Sequence, residues 1–281
     1  MRYRRPGLDI TSHTLLILCV IVFFLPVWMA IVAATHTQSS LYTGTAPLWF
    51  GSEGLGNFLA VLSDPVSRLG TDATRLLLNS TIMALGIAVG KITIAILAAY
   101  AIVFFRFPMR MLCFWAIFIT LMLPVEVRIM PTYKVVADLG MLNSYSGLIL
   151  PLIASATATF LFRQFYLTVP PELLEAARVD GAGPWRFLRD ILLPLSKTNI
   201  AALFVIMFLY GWNQYLWPLL ITTESDYMTV VISLKRMLTS ADNLVPWHTV
   251  TATTLLAMLP PIIVIVLMQR YFVKGLVDTE K

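Results

Sequence analysis

Apolar residues run along this chain in long uninterrupted stretches, with no period-2 alternation between them. The stretches at about 14–34, 76–104, 111–130, 146–166, 197–220 and 249–272 are each long enough to cross a bilayer as helix, which takes roughly 20 residues. The pattern predicts an all-α, polytopic membrane protein with six transmembrane helices, forming a single transmembrane domain over 1–281. Pro26 falls within the first span, where neighbouring helices can re-satisfy the freed carbonyl. Pro260-Pro261 falls within the last and is read as an interior break. Gly86 and Gly90 make a small-xxx-small pair in the second span, and Ala154 to Thr159 is a run of small residues in the fourth. Both patterns suit close helix packing.

The polar stretches carry the remaining signals. A loop over about 35–75 is rich in Thr, Ser and Gly. A second, over about 222–248, contains helical apolar spacing from Met228 to Leu238 and predicts a short surface helix. Val125 to Pro131 lies between Pro124 and Pro131, so a break in the helix is expected there. On extended backbone Glu126 and Arg128 would share a side, as a gate or solute contact at the outer mouth or as an interfacial ion pair. Lys91 follows Gly90 directly, within a span. An ionisable residue at that depth is costly and faces the bundle interior, as an anion contact along a transport path or as a snorkelling or internally paired lysine.

Composition agrees with a membrane chain: 58% hydrophobic and 12% charged, about half the charged share of an average soluble domain, with a mean hydropathy of +0.81. The net charge of +5 is gathered in short loops between spans, which gives no reason to expect nucleic acid. Cys19 and Cys113 sit in different apolar runs, without metal-ligand spacing, and read as small buried hydrophobes. His13, His36 and His248 are scattered near span ends. No metal site and no catalytic acid–base pair is expected, and no P-loop motif is present. Arg2, Arg4 and Arg5 precede the first apolar run, which is longer than a signal-peptide core and lacks a good cleavage site, so it reads as an uncleaved span. Thirteen Lys and Arg flank the spans on the side of the termini and the 168–196 loop, against six on the other. The positive-inside rule places that side, with both termini, in the cytoplasm.

The 168–196 loop is the main charged interruption. Pro170-Pro171 can open a short helix, with Glu172 and Glu175 near its positive N-terminal end. Leu173, Ala176 and Ala177 fall on one shallow face, Glu175 and Arg178 can pair weakly, and Gly181 can end the helix with positive φ. Gly183-Pro184 opens a second helix, with Trp185, Phe187, Leu188, Ile191 and Leu192 on one half and Arg186, Arg189 and Asp190 on the other. Pro194 ends it. In the fifth span, Trp212, Asn213, Gln214, Tyr215 and Trp217 combine stacking surfaces with hydrogen-bonding groups, as a polyol contact or as an interfacial aromatic belt.

Glu175-Ala176-Ala177, then Gly181, then Ile191-Leu192-Leu193-Pro194 resembles the EAA signature of ABC-importer permeases. The resemblance extends over nearly the whole chain, through Arg106-Phe107-Pro108, Trp212 to Leu220 and Gly275-Leu276, and is closest to the MalG-like branch of carbohydrate-uptake permeases. Leu123 to Tyr133, Phe160 to Phe165 and Leu276 to Lys281 look most like permeases of sn-glycerol-3-phosphate importers. The resemblance implies the type I ABC-importer permease fold and a non-catalytic subunit in a bacterial inner membrane, forming half of a translocation pathway. Its implied partners are a second homologous permease, two copies of a cytoplasmic ATPase subunit and an external solute-binding protein. No cofactor is expected on this chain, since ATP-Mg would be bound by the ATPase. Glu175, Ala176, Ala177 and Gly181 would be the ATPase-coupling positions. Lys91, Glu126, Arg128, Trp212, Asn213, Gln214 and Tyr215 are the candidates along the path. A permease of this class for a sugar or other polyol is the nearest alternative. An ion-coupled secondary transporter fits less well, because no internal repeat is visible and Glu126 is the only acid at membrane level.

Overall fold

The computed structural model describes residues 6–42, 47–64, 70–120, 125–239 and 244–278. In chain order, α-helices run Pro6–Ala33 (α1), Gln38–Leu41 (α2), Gly54–Ser63 (α3), Ala73–Phe104 (α4), Arg110–Ile119 (α5), Val125–Asp138 (α6), Tyr145–Ile149 (α7) and Ala156–Leu167 (α8). They continue with Pro171–Val179 (α9), Pro184–Phe187 (α10), Leu193–Leu195 (α11), Lys197–Trp212 (α12), Leu216–Ile221 (α13), Val230–Thr239 (α14) and Trp247–Asp278 (α15). Among the described residues there is no strand. A 3-10 turn over Leu150–Leu152 prolongs α7, and a π-turn over Leu188–Leu192 joins α10 to α11.

Three helices are long and apolar enough to cross a membrane: Thr11–Ala33, Ala73–Phe104 and Trp247–Tyr271. They match the expected first, second and sixth spans. Counting each of two bent pairs as one span gives up to five. The expected fourth span is one of these pairs, bent by 48° between Leu152 and Ala156. Pro151 sits in the turn before the bend, and Ser155 restarts the helix by accepting a hydrogen bond from the Ala158 amide at 3.3 Å. The expected third span is not one described helix: α5 ends at Ile119, and Pro124 lies outside the described residues.

Two expectations from proline are overturned. Val125 to Pro131 is α-helical, so the extended backbone on which Glu126 and Arg128 would share a side does not form. The α15 helix continues through Pro260-Pro261. In both cases, ending a helix and nucleating another would expose more backbone groups than the proline itself leaves unpaired. Within α6 the Thr132 hydroxyl also donates to the Arg128 carbonyl at 2.8 Å. Conversely, the expected fifth span stops at Trp212 and resumes only at Leu216. There Asn213 caps α12 and the Gln214 side chain donates to the Tyr210 carbonyl at 3.1 Å, so the open end is partly satisfied locally. Cys19 and Cys113 are exposed on their helices rather than buried. An apolar helix face turned outward suits a lipid solvent, and the composition of the run does not say which face that is.

The chain forms two compact units, Met1–Thr74 with Ser233–Met258, and Arg75–Ile232 with Leu259–Lys281. In the first, Ala34, Val61, Ala73 and Ala252 form a small core with Phe58, Leu255 and Leu256 against it. The Asn57 side chain donates to the carbonyls of Ala34 and His36, both at 2.9 Å, and so closes the end of α1. The loop after α1 thus contains α2 and α3, which Thr- and Gly-rich composition did not suggest.

In the second unit α4 is the element on which the others pack. A Cβ on Gly86 would lie 2.6 Å from Ile149 Cδ1, and one on Gly90 would lie 2.5 Å from Ile153 Cγ2. The glycine pair therefore seats α7 and the turn after it, as its spacing suggested. The unit's core is Met83, Ile87, Ile129, Val136, Leu148, Leu152, Trp217 and Ile221. At one end of α4, Asn79 donates to the carbonyls of Asp226 at 2.8 Å and Met228 at 2.9 Å and accepts from the Tyr145 hydroxyl at 2.7 Å. The α14 helix forms close to where Met228 to Leu238 placed it, with Val230, Ile232 and Met237 buried rather than at the surface.

Candidate coupling segment and transport path

The segment between α8 and α12 is built from local rules. Pro171 opens α9, and Glu172 lies in its first turn. At the other end Gly181 takes φ +73°. The Gly181 amide donates to the Arg178 carbonyl at 3.0 Å and the Ala182 amide to the Ala177 carbonyl at 2.8 Å. These two bonds, with a left-handed residue between, form a Schellman motif that satisfies the last carbonyls of α9.

Burial splits the signature residues. Ala177 is 4% exposed and packs into its own chain, whereas Glu175, Ala176 and Gly181 face outward. The shallow face expected from Leu173, Ala176 and Ala177 is thus divided between an inner and an outer side. Glu175 makes no ion pair with Arg178 among the described residues. The pairs that form are Arg186 with Asp190 at 3.5 Å and Arg189 with Asp190 at 3.9 Å, both on the outer half of the second helix, as its charge pattern suggested. Phe187, Leu188 and Leu192 are buried on the other half, but Trp185, placed with them by spacing, is 68% exposed at the start of α10.

An aromatic bracket fixes the segment to the spans. Phe187 lies 5.4 Å from Phe104 and 6.5 Å from Tyr100, ring centroid to centroid, and Phe104 lies 5.9 Å from Tyr166 of α8. The Tyr100 hydroxyl donates to the Pro184 carbonyl at 2.8 Å. The chain then bends by 75° into α12. Ser196 sits at the bend and donates its hydroxyl to the Leu192 carbonyl at 2.6 Å, a back-bond that favours bending. Pro194 has no amide for the preceding turn, and the π-turn accommodates that gap. Apart from Phe187, the bracket residues were not singled out in the sequence. Their signal was aromatic i, i+4 spacing: Tyr100 with Phe104, and Phe162 with Tyr166.

The path candidates do not form one cluster. Trp212 is 4% exposed and stacks on Phe208 at 5.8 Å, and Trp217 is 3% exposed with its indole nitrogen donating to the Gly147 carbonyl. Asn213 and Tyr215 face outward and Gln214 is half-buried. The Glu126 side chain lies outside the described residues. Lys91 is 6% exposed, with its Nζ 3.5 Å from the centroid of the Tyr210 ring, a cation–π contact. Tyr210, which the sequence did not single out, is the residue that gives Lys91 its place. Arg128 is exposed on α6, one residue before Ile129, which belongs to the same core cluster as Ile87. Lys91 is one helical turn beyond Ile87 on α4. Through that cluster α6 and α4 meet near Lys91.

Comparison with known proteins gives a consistent answer. Residues 91–278 match the family described as "Binding-protein-dependent transport system inner membrane component". The chain is 57% identical over 279 residues to the sn-glycerol-3-phosphate transport system permease protein UgpE of Brucella melitensis, with 99% of each chain covered. It is 55% identical over 277 residues, again with 99% of each covered, to the protein of that name from Escherichia coli O157:H7. Among solved structures, a chain of a bacterial ABC transporter involved in the import of the acidic polysaccharide alginate superposes with a TM-score of 0.83 at 20% identity. That superposition covers 97% of this chain and 99% of the other, and it fixes the ABC-importer permease fold. On both the sequence match and the fold, this chain belongs to the family of inner-membrane components of binding-protein-dependent transport systems.

Proposed function

We propose that this chain is one of two homologous permease subunits in an ATP-driven importer of sn-glycerol-3-phosphate. A cytoplasmic ATPase dimer would dock on α9, and an external binding protein would deliver the solute. The observation that supports the solute is the near-full-length identity with permeases named for it. The coupling role is supported by the way α9 is held: anchored through Ala177 and the bracket, with Glu175, Ala176 and Val179 left outward, Val179 at 88% exposure. Uncovered apolar side chains beside charged ones suit a partner surface. In this reading the chain catalyses nothing and binds no cofactor. ATP-Mg belongs to the ATPase, whose closure pulls α9 and, through Phe187 and Tyr100, the end of α4.

Reconstitution of the complete importer tests this. Uptake of sn-glycerol-3-phosphate into vesicles is expected to require both ATP and the binding protein, and Glu175→Ala is expected to lower uptake per ATP hydrolysed. Uptake that follows an imposed ion gradient without ATP would refute the reading.

A further inference from the structure

We propose that Lys91 and Arg128 together hold the phosphate group of the solute as it passes, so that this subunit contributes an anion site and not only a wall of the path. The inference rests on the importer reading above and adds to it the chemistry of recognition. Lys91 stands on α4 between Asn79 and Tyr100, the residues that tie the two ends of that helix. At 1.5 Å per residue it lies roughly 18 Å from the first and about 14 Å from the second, well inside the thickness of a bilayer. A cation there is normally paired with an acid or a backbone carbonyl.

Lys91 has instead the face of Tyr210, 3.5 Å from its Nζ to the ring centroid, and a second cation acts on it. The Arg128 guanidinium acts electrostatically on both Lys91 and Tyr210. Packing of Ile129 and Ile87 in one cluster brings their helices together at this level. Among the described residues no ion pair includes Lys91 or Arg128. Two like charges near each other in a low-dielectric region repel strongly. An anion between them reverses the sign of that interaction.

The ligand chemistry follows from the pair. A phosphate monoester carries between one and two negative charges near neutral pH, which matches two cations better than a neutral sugar or polyol does. The exposed Arg128 can bind two phosphate oxygens in a fork, and the buried Lys91 supplies a point charge. Gln214, half-buried beside Tyr210, adds a neutral amide for a hydroxyl of the same solute. The same chemistry could be met by a phospholipid headgroup, and the experiment has to separate the two.

The test uses the complete importer in proteoliposomes of phosphatidylcholine alone and, in parallel, of phosphatidylcholine with phosphatidylglycerol. Lys91→Met and Arg128→Gln are each expected to cut uptake of sn-glycerol-3-phosphate tenfold or more in both lipid mixtures. Arg128→Lys is expected to retain at least a third of it. Co-purification of the ATPase and of the second permease with each variant shows that the complex still assembles. Uptake within twofold of the parent in both neutralised variants would overturn the proposal. So would a parent complex whose uptake collapses in phosphatidylcholine alone while the variants lose nothing further, since the cations would then serve the lipid. A parent complex that takes up no sn-glycerol-3-phosphate in either mixture would instead refute the importer reading on which the proposal stands.

Discussion

Ala176 and Ala177 are neighbours in sequence and opposite in situation. Ala177 is nearly enclosed by its own chain, and Ala176 faces outward. A leucine at 177 must displace packed atoms, an overpacking that costs about 1–3 kcal/mol. Ala177→Leu is therefore expected to lower the thermal midpoint of the purified permease by several degrees. Ala176→Asp is expected to leave the midpoint unchanged and to abolish ATPase co-purification. Equal destabilisation by both would show that the two alanines serve packing alone. Gly181 belongs to a third category. A Cβ there meets nothing within 4 Å, yet φ is +73°, so any loss in Gly181→Ala comes from backbone conformation, at roughly 1 kcal/mol. Asn tolerates that region better than Ala. Gly181→Asn is expected to restore coupling measured as uptake per ATP, an outcome a purely steric contact role would not produce.

At the scale of elements, the joint between α4, α8 and α10 is where force would cross from the coupling segment to the spans. Phe187 is 1% exposed between Tyr100 and Phe104. Removing its ring should cost about 3–5 kcal/mol locally. Phe187→Ala is expected to leave α9 able to bind the ATPase while uptake per ATP falls steeply. Tyr100→Phe, which removes only the hydrogen bond to the Pro184 carbonyl, should show a milder version of the same defect. If ATPase binding is lost along with coupling in Phe187→Ala, the ring supports α9 itself and does not transmit its motion. Much at this scale was legible in the sequence. The Pro171 start, the Gly181 stop and the second start at Pro184 are local rules, as is the seat made by Gly86 and Gly90. What escaped was non-local. Whether Pro131 or Pro260 breaks a helix depends on the whole helix it interrupts, and whether Trp212 faces solute or Phe208 depends on neighbours that spacing does not reveal. The pairing of Lys91 with Tyr210 joins positions far apart in the chain.

For the molecule as a whole, α4 acts as a ruler for its own unit. Asn79 near its start is bonded to the carbonyls of Asp226 and Met228, and Tyr100 near its end is bonded to the carbonyl of Pro184. The 21 steps between them span roughly 32 Å of helix, close to the ~30 Å hydrocarbon core of a bilayer. The 225–228 turn and the coupling segment must therefore emerge on opposite sides of the membrane. The surplus of Lys and Arg around the coupling segment predicts that its side is the cytoplasm. The consequence can be measured with single cysteines in a chain whose exposed Cys19 and Cys113 have been replaced by serine. Val179→Cys, at the outward tip of α9, is expected to react with a membrane-impermeant maleimide only in inside-out vesicles. Glu224→Cys, exposed beside the turn that Asn79 holds, is expected to react only in right-side-out vesicles. Both sites labelling from one side would contradict the ruler, because a helix tied at both ends cannot then cross the bilayer. Labelling on opposite sides in the reverse sense would keep the ruler and overturn the charge argument, leaving α9 on the face away from ATP.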